Sequence, residues 1–389
     1  MDSACHVLGV TMTGDANNSW NMSDGSVDLL LQRRCNLYSF IIYTVIVGSL
    51  VVVGIIGNSF AFVVFWKDNI KTSASFLFQG LSLIDSCLLL TVIPLYSMDS
   101  FVVYTDWLQD HWRAIRPYVL VYLLPLAFTA QTATIWVTVL VAVNRYIAVC
   151  LPYKASRLCT VLKAKKQLAF VLLFAVLYNI PKFAEYRVEY VTTDNGTTYT
   201  ANAGYTKLGE KTWYYIIYAN ILYLIFLLAL PIFILTVLNI RLIKALKALR
   251  RKRMEMQSLR QQQDNNVTFV LIIVVIVFII CQVPALVNQV MWNVAQDDAR
   301  ECGGFQFYLR HIANMLVILN SAVNFIIYIL FNKRFRHVLI QTVCAYSLLV
   351  GDPRQGGKSG GSSPQMTVTT RVMASPEREN GETVKDTLL

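Results

Sequence analysis

The sequence predicts an all-α membrane protein, a bundle of seven transmembrane helices, and three observations predict it. Apolar residues make up 56% of the 389-residue chain and charged residues only 15%, against about 25% charged in a soluble domain. Seven near-continuous apolar runs are spaced along the chain, and the basic residues between them collect in alternate connections. A soluble fold has no way to hide that much apolar surface. The bilayer is its natural solvent.

The runs cover residues 38–66, 73–98, 118–144, 164–184, 213–240, 267–293 and 309–331. Each reaches the ~20 residues with which a helix crosses ~30 Å of hydrocarbon. Inside hydrocarbon every backbone amide needs an internal partner, so the runs are expected as helices. The seventh is the most polar, and hydropathy alone does not identify it.

Orientation follows from the basic residues. The connection after the third run carries Arg145, Lys154, Arg157, Lys163, Lys165 and Lys166, and the one after the fifth runs from Arg241 through Arg250, Arg251, Lys252 and Arg253 to Arg260. Lys333, Arg334 and Arg336 follow the seventh, whereas the opposite connections hold Asp99, Asp106 and Asp110, then Asp297, Asp298 and Glu301. The flanks of the first run are indecisive, with Arg33 and Arg34 opposing Lys67 and Lys71. The bias predicts a multi-pass protein of the plasma membrane with its N-terminus extracellular. Residues 1–20 lack the basic region and apolar core of a signal peptide, so the first run is expected to act as its own signal. Residues 1–37 are then an extracellular glycosylated segment, 38–344 the transmembrane domain and 345–389 a disordered cytosolic tail rich in Gly, Ser, Thr and Pro.

This bias also explains the net charge of +11, so nucleic-acid binding is not expected. The sequons at Asn17, Asn21 and Asn195 fall outside, where glycan transfer takes place, and Asn266 falls inside. Cys35 precedes the first run and Cys302 lies in the last external connection, so the two could form a clasp; they could equally stay free or engage Cys5. Cys344 follows a basic amphipathic stretch and is a palmitoylation candidate. The four histidines are scattered without metal-ligand spacing, and no internal repeat of the transporter kind is visible. An enzyme is not expected, and a transporter is a remote alternative.

Polar residues inside hydrocarbon are costly and therefore informative. Asn58 follows Gly54 and Gly57, small residues that permit close helix contact. Asp85 stands alone in an apolar run, Asn144-Arg145-Tyr146 ends the third, and Asn320, Ser321, Asn324 and Tyr328 punctuate the seventh.

In order and in span, these residues resemble the motifs of rhodopsin-like (class A) G-protein-coupled receptors. Asn58 is similar to the first-helix Asn, Asp85 to the second-helix Asp, and Arg145 to the Arg of the Asp-Arg-Tyr motif. Pro231 resembles the fifth-helix proline, and Phe278-Ile-Ile-Cys281-Gln282-Val-Pro284 the sixth-helix motif with Gln for Trp. Asn324 and Tyr328 resemble the seventh-helix Asn-Pro-x-x-Tyr with Phe325 for Pro, and Phe331 to Arg336 the short amphipathic eighth helix. Asn144 replaces the usual acid, Asn239 a tyrosine, and Leu120 the cysteine of the common third-helix disulfide. Together with Tyr178 to Tyr186 and Cys150 to Cys159, the chain resembles invertebrate FMRFamide-type neuropeptide receptors.

The resemblance implies an extracellular peptide ligand, with an Arg-Phe-amide end as the candidate and a same-fold receptor for a non-peptide ligand as the alternative; Ala127 at the amine-binding position disfavours a monoamine. A ligand Arg would seek Asp99, Glu185 or Glu189, at the expected outer ends of helices two and four. Gln131, Gln282, Asn288 and Gln289 are candidates for the pocket's floor and wall. The resemblance places Asn58, Thr134, Asn320, Ser321, Asn324 and Tyr328 around Asp85, a set suited to an allosteric Na⁺ and no other cofactor. Asn144, Arg145 and Tyr146 form the G-protein switch, with Asp264 the nearest candidate acid for Arg145. Phe278, Gln282, Pro284 and Pro231 form the hinge, since proline removes a helical hydrogen bond. A heterotrimeric G protein, receptor kinases and arrestin acting on tail serines and threonines, and a PDZ protein at Thr387-Leu388-Leu389 are the partners expected.

Overall fold

A computed structural model describes residues 24–67, 72–192, 199–256, 262–294, 297–332 and 335–342. Seven long helices account for most of them. Helix α1 spans Asp28–Lys67, α2 Ser73–Thr105, α3 Gln109–Cys150 and α5 Tyr214–Ala248, each long and apolar enough to cross a membrane. Helix α6 is Gln262–Val294, with Ile272–Trp292 as its apolar span. Helix α7 is the bent pair Phe305–Ala322 and Asn324–Phe331, which pass that test together. Helix α4, Val161–Phe183, has 23 residues and reaches about 35 Å at 1.5 Å per residue. The expected bundle is therefore present, and residues 335–342 after it are helical.

Several helices outrun their apolar runs. Helical structure begins at Asp24, ahead of the first run, and α3 extends past its run at both ends. Hydropathy marks where hydrocarbon begins, whereas a helix continues into water wherever packing or a cap supports it. Thr72 caps α2 in this way, its hydroxyl accepting from Ser75 N–H at 3.0 Å. Proline leaves a further mark: π-helical stretches Ile93–Met98, Val119–Leu123 and Leu224–Ala229 lie at or beside Pro94, Pro117, Pro125 and Pro231, where the missing N–H and bulky ring disturb the regular ladder.

One short hairpin accompanies the helices. Between α4 and α5, β1 (Tyr186–Thr192) pairs antiparallel with β2 (Tyr199–Tyr205), Tyr186 opposite Tyr205. Aromatic and β-branched residues in β1 suit a strand, and the segment lies outside hydrocarbon, where a free sheet edge can meet water. Tyr186 and Ala203 are buried against the outer core, which includes Leu120, Val121 and Leu124 of α3.

Close packing of α1 rests on its glycines. A Cβ on Gly54 would stand 2.7 Å from Leu89 Cδ1 of α2 and 2.9 Å from Ala322 Cβ of α7, and one on Gly57 would stand 2.8 Å from Phe325 Cβ. Only a bare Cα lets the three helices meet there.

Candidate functional site

Four helices converge on Asp85, which is fully buried in α2. Thr134 Oγ1 of α3 donates to its Oδ1 at 3.1 Å, and Asn324 Nδ2 of α7 donates to its Oδ2 at 2.8 Å. Asn58 Nδ2 of α1 donates to the Ser321 carbonyl at 3.0 Å. Asn320 is buried next to Ser321 in the chain. Asn58 Oδ1, Ser321 Oγ and Tyr328 Oη are buried without a hydrogen-bond partner among the described residues. Asp85 thus accepts from two donors, and three further buried oxygens on α1 and α7 have lone pairs to offer. The residues present thus fit a hard, oxygen-seeking cation.

Helix α7 is bent by 47° where its two halves meet at Val323, although Val323 N–H still reaches the Leu319 carbonyl at 3.0 Å and its own carbonyl accepts from Ile327 N–H at 3.1 Å. No proline is needed. Asn58 takes the Ser321 carbonyl, and Asn324 turns its amide to Asp85, so side chains from and toward other helices occupy the break. Phe325, in the expected proline position, seats its ring against Phe60 and Phe335 at centroid distances of 6.0 and 5.9 Å. Tyr328 packs edge-on to Phe65 and Phe78.

At the C-terminal end of α3, Asn144 is buried and accepts from Ser73 Oγ of α2 at 3.1 Å, while its backbone carbonyl accepts from Cys159 Sγ at 3.5 Å. The residue in the acid's place thus ties α3 to α2. Arg145 and Tyr146 are half-buried. Burial pushes the Cys159 thiol up, and the positive charge of Arg145 partly opposes that shift. Asp264 belongs to α6, but its side chain lies outside the described residues, so the pairing with Arg145 has no geometry here. Asn17, Asn21, Asn195 and Cys344 also lie outside them.

In the hinge, Phe278 is fully buried among Ile135, Val139, Leu227 and Val275. Gln282 is buried in α6, and its Oε1 has no partner among the described residues. Pro284 lies inside α6 and is half-buried, and Pro231 follows the π-helical stretch of α5. Asn239 Nδ2 of α5 reaches the Ile272 carbonyl of α6 at 3.4 Å.

At the other end of the bundle from Arg145, a pocket opens between α2, α3, α5, α6 and α7. It is lined by Val92, Tyr96, Ala127, Gln131, Tyr223, Asn288, Gln289 and Asn314 among others. Three expected contact residues, Gln131, Asn288 and Gln289, are therefore together, and Gln282 does not line the pocket. Gln289 Nε2 donates to Asn220 Oδ1 of α5 at 2.9 Å, and Gln306 Nε2 of α7 donates to Asn288 Oδ1 at 2.9 Å. The lining is amide and phenol, without a carboxylate.

The three candidate acids do not meet there. Asp99 pairs with Arg116 at 2.7 Å and accepts from Trp112 Nε1 at 2.9 Å. Glu185 is buried, pairs with Lys182 at 2.7 Å and accepts from Tyr214 Oη at 2.9 Å. Glu189 is on β1 rather than at the end of α4, and pairs with Arg187 at 2.7 Å. Each acid has a cation close by that sequence reasoning did not match to it. Lys182 and Arg310 were missed as buried residues: Arg310 is 1% exposed in α7, its guanidinium 6.0 Å from the Trp292 ring and 5.9 Å from that of Phe307. A basic residue inside the seventh apolar run was the available signal. Asp85 is thus not alone as a charged type buried in the bundle.

Cys35 and Cys302 are joined as a disulfide, fastening the outer part of α1 to the loop before α7. Where the third-helix cysteine is absent, Tyr118 and Tyr190 join their hydroxyls at 2.8 Å and link α3 to β1.

Comparison with known families decides the class. The model of the 7 transmembrane receptor (rhodopsin family) matches residues 57–328. The chain belongs to this receptor family. Among the receptor's curated relatives, an FMRFamide peptide receptor of Caenorhabditis elegans, frpr-18, is 30% identical over 296 residues, covering 75% of this chain and 66% of the relative. The FMRFamide receptor of Drosophila melanogaster is 27% identical over 305 residues, 78% of this chain and 54% of the relative. Human neuromedin-U receptor 2 is 24% identical over 308 residues, 79% and 72% of the two chains. The chain thus spans between half and two thirds of the length of the two FMRFamide relatives.

Proposed function

We propose that this receptor lies in the plasma membrane with its N-terminus outside, binds an extracellular neuropeptide and activates a heterotrimeric G protein in the cytosol. The observation that carries the reading is the outer pocket, whose amides come from α3, α6 and α7, two of which, α3 and α7, also meet at Asp85. Amide and phenol groups match the backbone and terminal groups of a peptide, which donate and accept in turn. Ala127 lines that pocket, so it holds no anion for an amine. The relatives named as FMRFamide and neuromedin-U receptors support the peptide class. A ligand arginine would exchange with Arg116 for Asp99 at the outer end of α2.

In this mechanism, contacts with Asn288 and Gln289 bias α6, and contacts with α7 bear on the Asp85 network below. A Na⁺ ion held by Asp85, Asn58 and Ser321 would favour the resting arrangement by adding its charge to the cage. Release of Arg145 at the cytosolic end then offers a guanidinium to the G protein. Glycans at Asn17, Asn21 and Asn195, a palmitoyl group at Cys344, and kinases, arrestin and a PDZ protein at the tail belong to the same proposal.

The test is G-protein activation in cells expressing the full chain, challenged with amidated peptides and their free acids, alongside Arg145→Ala. A response to amidated Arg-Phe peptides that is lost in the variant supports the reading. Silence to every peptide at confirmed surface expression overturns it.

A further inference from the structure

Two amides of the proposed ligand pocket are held from behind by residues that do not line it. Asn288 and Gln289 of α6 are in the lining, whereas Asn220 of α5 and Gln306 of α7 are buried outside it. Gln306 Nε2 donates to the Asn288 backbone carbonyl at 3.0 Å and to Asn288 Oδ1 at 2.9 Å. Asn220 Nδ2 donates to the Tyr215 carbonyl at 2.9 Å, and its Oδ1 accepts from Gln289 Nε2 at 2.9 Å. In both pairs the backbone fixes the sense of the side chains. A carbonyl oxygen can only accept, so Gln306 turns its NH₂ group to Asn288, and Asn288 has to answer with its oxygen. What Asn288 keeps for the pocket is therefore a donor. Its Nδ2 makes no hydrogen bond among the described residues and, unlike the neighbouring Gln306 Oε1, is not sealed off. The cavity has a volume of about 50 Å³, space for about four waters at ~10–15 Å³ each, or for one planar carbonyl-bearing group. The adjoining cavity between α3, α4 and α5 takes no such group. There Lys182 stands 4.9 Å from the Phe128 ring and 5.9 Å from that of Tyr218, and the space of about 10 Å³ suits about one water.

We propose that Gln306 is a positioning residue for the ligand: it turns the Asn288 amide so that its NH₂ group meets a carbonyl oxygen of the bound peptide. The inference rests on the peptide reading above. Gln306 itself touches no ligand. An amide held by nothing offers oxygen or nitrogen with little preference, and Gln306 removes that choice before the ligand arrives. A donor set in advance spares the complex the cost of ordering the side chain. A ligand N–H brought to the same point meets another N–H, which selects against that pose.

The test is a double-mutant cycle on peptide affinity, read by competition binding on cells expressing the full chain at matched surface levels. The probe is Phe-Met-Arg-Phe-amide, or whichever peptide of the panel binds the unaltered receptor. Asn288→Ala removes the donor and leaves Gln306 the backbone carbonyl of residue 288; affinity falls about three- to tenfold, the worth of one hydrogen bond. Gln306→Met keeps the length but offers Asn288 only a weak acceptor, so the amide turns its nitrogen inward and its oxygen to the pocket. The loss is of the same size. Because Gln306 acts through Asn288, the double variant binds no more weakly than Asn288→Ala alone. Additive losses, or unchanged affinity in either single variant, overturn the positioning role and leave the peptide reading intact. Asn288→Asp decides the matter where Gln306→Met fails to reach the surface. It keeps an acceptor for Gln306 and puts an acceptor where the donor was, so affinity falls at least as far as in Asn288→Ala; equal or tighter binding overturns the role. An unaltered receptor that binds no peptide of the panel overturns the peptide reading and this role together.

Discussion

Asp85 and its neighbours show what single residues contribute. Two donors, from Thr134 and Asn324, satisfy the carboxylate in part, and the spare lone pairs on Asn58 and Ser321 are what a cation would use. If Na⁺ occupies that cage, agonist affinity in the parent receptor falls as NaCl replaces a larger organic cation, and Asp85→Asn abolishes the dependence. A radioligand competition series checks this, and sodium-insensitive affinity in the parent would contradict it. Gln282 makes a different prediction. A buried carbonyl without a partner costs about 1–3 kcal/mol, so Gln282→Met is expected to raise the thermal midpoint of the purified receptor in detergent; a lower midpoint would mean the oxygen is satisfied in solution. Asp85, Asn58 and Asn324 were legible in the sequence because polar groups in an apolar run have few reasons to be there. Lys182 and Glu185 were not matched: a basic residue near the end of a span reads as one that reaches for water, and only packing shows that it turns inward.

Among the elements, α1 and α7 are the most constrained pair. Gly54 and Gly57 admit Leu89, Ala322 and Phe325 to within contact of the α1 backbone. Gly54→Leu therefore forces α1 outward, at a cost of about 1–3 kcal/mol or more for overpacking, and is expected to lower both surface expression and the thermal midpoint. Wild-type values in both assays would show that the helices separate freely. The bend in α7 illustrates the limit of motif reasoning. Losing the proline removes one cause of a bend, yet the angle is 47°, because Asn58 and Asp85 draw on the same turn from neighbouring helices. The hairpin β1–β2 was invisible beforehand, since nothing in a search for apolar runs of membrane length registers seven-residue strands outside hydrocarbon.

Across the whole molecule, the Cys35–Cys302 disulfide closes a segment of 267 residues, tying the first helix to the approach to the last. Cross-linking a long loop restricts the unfolded chain, by up to about 5–6 kcal/mol in the chain-entropy account, less where the helices stay inserted. Cys35→Ser and Cys302→Ser are expected to lower the thermal midpoint equally, with no further loss in the double variant. Additive losses would mean that each thiol has its own role.

The sequence by itself determined that the chain lives in a bilayer, that it crosses it many times and which polar residues lie within the spans. These follow from the cost of exposing apolar surface to water and polar groups to lipid, a cost paid locally along the chain. Only the tertiary structure decided which of those polar groups meet, that Asp99, Glu185 and Glu189 each have their own cation, and that Lys182 faces an aromatic pocket. Asp99–Arg116 joins two helices, while Lys182–Glu185 and Arg187–Glu189 are neighbours in the chain; in each case burial and distances of a few ångströms, which no local pattern encodes, set the energy.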